Sequence, residues 1–212
     1  YFDFGYEEKP STDAVRVQYY IGSTSSAEVA FRPGKTSNEM VAAGLYRLAI
    51  GSYDLQALAG RMDSDYVAGG GWSGVLGKAG FNGEVTAFMP GNGMLAPGTV
   101  ISASAGINYT FTNSLYLHGA YLLNSGGASH TDSMQGLLLN NVSAKSLSPS
   151  RHSLFGEVAY QFTPLVRGDL SAILDPEDGS FFTGPFVTVS LTNTMELLGG
   201  GQLFFGGVNS LY

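Results

Sequence analysis

The stretch VISASAGINYTFTNSLYLHGAYLLN, residues 100–124, decides the fold. Ile101, Ala103, Ala105, Ile107, Tyr109 and Phe111 alternate with Ser102, Ser104, Gly106, Asn108 and Thr110. A period of two sends the first set to one face of a strand and the second set to the other. After Thr112, Asn113 and Ser114 the alternation resumes, with Leu117, Gly119, Tyr121 and Leu123 against Tyr116, His118 and Ala120. Both strands exceed the common length of about 5–6 residues, are apolar along one whole side, and carry aromatic residues near their ends. A hairpin that crosses a bilayer needs that combination.

The same split recurs along the chain. Val15, Val17, Tyr19 and Ile21 oppose Arg16, Gln18 and Tyr20, and Ala27, Val29 and Phe31 oppose Glu28, Ala30 and Arg32. Ala42, Gly44, Tyr46, Leu48 and Ile50 leave Arg47 on the other face, and Leu55, Ala57 and Ala59 leave Asp54, Gln56 and Leu58 there. Arg61 breaks this parity, so it is expected at a rim, where an arginine costs roughly 0–1 kcal/mol instead of about 2–4 at mid-bilayer. Residues 67–76 carry the only tryptophan, Trp72, among glycines, and Phe81, Val85 and Met89 oppose Asn82, Glu84 and Thr86. Leu154, Val158 and Tyr160 then oppose Glu157 and Gln161, and Val166, Leu170 and Leu174 oppose Arg167 and Asp169. Val187, Val189 and Leu191 precede a last segment in which Leu197, Leu203 and Phe205 oppose Glu196 and Gln202.

About twelve strands result, with no helical stretch between any two. Tight turns make consecutive strands antiparallel neighbours, so the chain reads as an up-and-down meander, which avoids exposed edges by closing on itself. The expected fold is a single all-β domain over residues 1–212, a transmembrane antiparallel up-and-down β-barrel. A soluble barrel would reverse the faces, but Glu, Asp, Arg, Gln, Asn, Ser and Thr make no dry core.

Composition agrees. Only 13% of the residues are charged and cysteine is absent, which removes disulfides and thiolate metal sites. No run of about eighteen apolar residues exists, which excludes a transmembrane helix but not strands that need only about nine to eleven. The net charge of −7, with basic residues scattered, speaks against nucleic acid. The chain opens at Tyr1 without a leader and is expected to be a mature or trimmed product.

The longest interruption is 125–150, polar except for Leu137, Leu138 and Leu139; three adjacent leucines favour burial, as an infolded constriction or an external cap, over a disordered surface loop. Connections alternate between short and long. Placing the short ones in the periplasm leaves both ends of the chain on the extracellular side, so strands are expected to be missing from each end. Asp175, Pro176, Glu177, Asp178 and Gly179 spell a turn, Pro fixing φ and Gly supplying a positive one.

The pattern resembles bacterial outer-membrane β-barrels of the porin kind, and its closing region from Gly156 to Phe205, with ILDPEDGSFFTGP (173–185) and ELLGGGQLFFG (196–206), looks like the last strands of such barrels from the Bacteroidota and neighbouring phyla. The resemblance implies residence in the bacterial outer membrane, contact with its lipid, and passive diffusion of small hydrophilic solutes. It leaves open self-association or assembly with other envelope proteins.

Parity gathers the candidate pore-lining residues: Arg16, Arg32, Arg47 and Arg167 with Glu28, Glu84, Glu157, Asp169 and Glu196, together with Gln18, Gln56, Asn108, His118 and Gln202. Opposed charges there set a transverse field that filters solutes. The bland alternative is a satisfied network filling a narrow barrel. It belongs with a second function, a plugged barrel anchoring a larger envelope assembly. A lipid enzyme is a third, but His118 faces away from lipid without a nameable serine partner, so no catalysis is expected. His130 and His152 flank the long interruption as ordinary loop residues, and neither metal nor cofactor is expected. The run 69–74 spells GxGxxG without the helix that would receive a pyrophosphate.

Overall fold

The computed structural model describes residues 13–36, 39–91, 96–127, 145, 148, 150–207 and 210–212. Alternating β-branched, aromatic and polar residues form long strands here: β1 (Val15–Ile21), β2 (Ser25–Arg32), β3 (Val41–Ile50), β4 (Tyr53–Met62), β5 (Asp65–Leu76) and β6 (Ala79–Pro90). They continue as β7 (Val100–Thr110), β8 (Leu115–Asn124), β9 (His152–Thr163), β10 (Val166–Leu174), β11 (Phe181–Thr192), β12 (Met195–Gly200) and β13 (Leu203–Phe205). All lie in one antiparallel sheet in which each of β1 to β11 pairs with the next in sequence.

β12 and β13 both pair with β11, Gly200 opposite Phe186 and Leu203 opposite Thr183, so the register is unchanged across the gap. The gap falls opposite Pro185, which has no N–H to give the ladder. Its carbonyl still accepts from Gly201 N at 3.1 Å. The last two strands are thus one interrupted stave, and the sheet is a meander of twelve.

The deciding hairpin forms as read. Phe111 N donates to Leu115 O at 2.7 Å and Ser114 N to Phe111 O at 3.1 Å, closing a three-residue turn. Ser114 takes φ +66°, the left-handed residue such loops require. Gly179 has φ +74° in the turn after β10. The alternation of connection lengths has an exception: β4 and β5 are joined by Asp63 and Ser64 alone, at the same end as the long connections. Asp63 carries that turn at φ 57°.

One face of the sheet is apolar and exposed. Ile107, Leu117, Val158 and Leu170 are 48%, 38%, 44% and 51% exposed, so they do not pack into a sealed core. The opposite, polar face is the crowded one: Ala159 on it is only 2% exposed, and Ser26, Ser102, Ser153 and Phe88 are buried there. Residues of similar size differ in this way when a sheet curves, and here the polar side is concave.

The strands are staggered in a constant sense. A row perpendicular to them runs Val17, Val29, Gly44, Ala59, Ala68, Ala87, Ile101. It begins four residues from the short-turn end of β1 and finishes nine residues from the short-turn end of β7. Barrels need such a stagger. The sheet itself is open: among the described residues β1 and β12 do not touch, and each presents an unpaired edge.

Candidate functional site

The concave face holds the sequence-assigned residues, in three groups. The first lies on β1 to β3. The short turn after β1 sets Gln18 opposite Glu28 and Arg16 two pairs away on the same face, opposite Ala30. The Arg16 guanidinium grips the Glu28 carboxylate with two contacts of 2.6 Å, from Nη2 to Oε2 and from Nε to Oε1. Arg47 Nη1 reaches Oε2 of the same carboxylate at 3.4 Å, and the Glu28 side chain is left 12% exposed. One carboxylate therefore serves two guanidiniums, leaving this wall net positive. Arg32 Nη2 lies 3.6 Å from Asp63 Oδ1 and donates to Glu39 O at 3.2 Å, across the base of the 33–40 connection. Gln56 stands opposite Arg47 and leans over Gly71, where an added Cβ would lie 2.8 Å from Nε2.

The second group lines β6 to β8. Glu84 is exposed, opposite Gly71 and Ser104, and makes no ion pair or hydrogen bond with the described residues. Asn108 sits opposite His118, as parity and the turn predict.

The third group, on β8 to β12, is the densest. His118 Nδ1 lies 3.6 Å from Glu157 Oε2, the two being directly opposite across β8 and β9. The Phe155 ring meets the imidazole edge-on at 5.1 Å. On β10, Arg167 donates through Nε and Nη2 to Asp169 Oδ1 at 3.0 and 2.8 Å. Ser190 Oγ donates to Glu196 Oε1 at 3.3 Å. Gln161 faces Arg167, and Gln202 falls in the break between β12 and β13. Strands β9 to β12 line a half-open cavity of about 910 Å³.

Several sequence expectations change. Besides Phe155, which parity places there, Leu45, Leu122, Ile173, Phe182, Phe186 and Leu198 also lie on the polar face, so it is less hydrophilic than the charged positions implied. Period two survives a hydrophobic residue on either side, and composition cannot tell which it occupies. His152 is no loop residue: it opens β9 at the end of the apolar face, its Nδ1 2.5 Å from Tyr121 Oη and its Nε2 3.6 Å from Glu177 Oε1. Leu137, Leu138, Leu139 and His130 fall outside the described residues. Arg61 does lie on the apolar face, beside the last residue of β4, its Nε donating to Asp63 O at 2.9 Å.

The sequence reading named Glu157 but not its pairing with His118, and it missed two further participants. Tyr116, in the row beside His118, lies within the field of Glu157 and Arg167. Asp65, opposite Met62 at the end of β5, has a side chain only 7% exposed and is ion-paired with Lys145 of the 125–150 connection. No group of three metal-ligating side chains exists among the described residues. Ser148, Ser150 and Ser153 hydrogen-bond to one another, and of His152 only the backbone carbonyl joins them.

Fold and face together define an all-β antiparallel up-and-down sheet with an exposed apolar side and a charged concave side. Compared with family models, with curated proteins and with solved structures, the chain matches none.

Proposed function

We propose that this sheet is the wall of a bacterial outer-membrane β-barrel of the porin kind, apolar face toward acyl chains and concave face toward water, passing small hydrophilic solutes by diffusion. The apolar face carries the argument. Its strand positions from β1 to β12 hold no acidic residue and one arginine, Arg61, at a strand end. Soluble monomers rarely expose a contiguous apolar patch above a few hundred Å². Lipid is the solvent in which such a face costs nothing.

Aromatic residues support the same reading. Tyr19, Tyr53, Trp72, Phe81, Tyr109, Phe111, Tyr160 and Phe162 gather on this face toward its short-turn end, the arrangement of an interfacial girdle. Trp72 and Phe81, Tyr109 and Phe111, and Tyr160 and Phe162 are in ring contact, with centroids 5.9, 4.6 and 5.1 Å apart. Hydrocarbon tolerates no open sheet edge, so β1 and β12 must be covered, by each other or by further strands. The constant stagger favours closure. Planar-bilayer recording tests the proposal: discrete conductance steps support it, and insertion without conductance removes the transport claim.

The ion pair between Lys145 and the buried Asp65 favours a second reading. It ties the longest connection to a strand three staves away on the concave side, as a plug would. A plugged barrel anchoring an envelope assembly predicts co-purifying subunits and no current.

A further inference from the structure

The charge on the concave face is segregated. β1 to β3 carry Arg16, Arg32 and Arg47 against Glu28, whereas the cavity at β9 to β12 is lined by Glu157, Asp169 and Glu196 against Arg167 alone. Arg167 is taken up by Asp169 on its own strand and also feels Glu157. His118, opposite Glu157 on β8, is not part of the cavity's lining. Glu196 has only a serine hydroxyl. Two negative charges in excess therefore border a cavity whose remaining wall is mostly aromatic and aliphatic, with Gln161, Ser171, Thr188 and Ser190 as its neutral polar members.

Phe186 gives that wall its chemistry. It stands between Asp169 on β10 and Gly200 on β12, and a Cβ added at Gly200 would collide with its ring carbons Cδ1 and Cε1. The ring therefore covers the glycine. With Phe155 and Phe182 it lines the cavity, and aromatic faces attract cations. Carboxylates beside aromatic faces in a space of about 910 Å³ match one ligand chemistry: an ammonium or guanidinium group on an apolar body.

We propose that the β9–β12 cavity is a binding site for small organic cations with an alkyl or aryl body, so that the concave face retains such solutes in transit. This rests on the concave face being open to water, and names the solute class that it favours.

Benzyltrimethylammonium is the probe, with benzenesulfonate as its anionic counterpart and sodium as the small cation. Isothermal titration of the full chain in detergent micelles should give saturable binding of the ammonium, with the sulfonate at least tenfold weaker. Glu157→Gln with Glu196→Gln should weaken binding about tenfold, and Phe186→Leu roughly two- to tenfold. Equal affinity for the two aryl ions overturns the proposal on the unaltered protein, even if a variant fails to fold. Binding in micelles without bilayer conductance leaves this site standing and removes the channel reading; conductance with no ammonium binding does the opposite.

Discussion

Leu170 lies at the middle of the nine-residue β10, half exposed on the apolar face, with Val158 and Pro185 beside it. Replacing it by arginine separates the two solvents this face could meet. On a water-exposed surface, Leu170→Arg changes stability by no more than about 0.5 kcal/mol in either direction. At a bilayer midplane an arginine costs about 2–4 kcal/mol, and near an interface about 0–1. Leu170 is four residues from either end of its strand, so the midplane value applies, while Val166→Arg and Leu174→Arg at the two ends should cost about 0–1 kcal/mol. At 1.4 kcal/mol per tenfold, the central substitution lowers the folding equilibrium constant roughly 30- to 700-fold. Guanidinium titration in phospholipid vesicles, followed by Trp72 fluorescence, measures all three variants. Equal, near-zero effects at the three positions, or a water-soluble monomer from Leu170→Arg, would refute the reasoning.

Three further outcomes are expected. Asp65→Asn and Lys145→Gln should each destabilise by about 1–3 kcal/mol, between the values for exposed and buried pairs, and the double variant should cost less than their sum in a double-mutant cycle. Gly83→Leu should cost about 1–3 kcal/mol and shift the Trp72 emission, because a side chain there collides with the indole ring. Burial, then the nearby Asp175 and Asp178, push the Tyr212 phenol up to about 12. Since the unfolded phenol titrates near 10, the stability it adds to the packed 210–212 segment is full below that pH and lost as pH rises to about 12. Phenolate absorbance at 295 nm, taken as the difference from Tyr212→Phe, should therefore develop about two pH units late.

The sequence made the hairpin at 100–124 legible because period two and a three-residue turn are both local, and the same parity put Arg16 and Glu28 on one face. It could not join His118 to Glu157. That pair depends on the register of β8 against β9, and the 27 residues between the two strands leave the register unconstrained. The apolar half of the cavity was obscured for a different reason. Phe182 and Phe186 flank other large apolar residues, so alternation there is between greasy and greasier positions. Asp65 escaped notice because its partner, Lys145, comes from a connection with no periodicity to read. The break at Gly201 and Gln202 was written in the neighbouring strand, at Pro185.

The central claim concerns which side of the sheet meets hydrocarbon. The chain has no cysteine, so single cysteines carrying nitroxides can be placed in turn along β9 from Ser153 to Gln161 in lipid vesicles. Collision with dissolved oxygen, which concentrates in the bilayer, should peak at Leu154, Gly156, Val158 and Tyr160, and collision with a water-soluble nickel chelate at Phe155, Glu157 and Ala159. The opposite phase, or high nickel accessibility at Val158, would contradict the account.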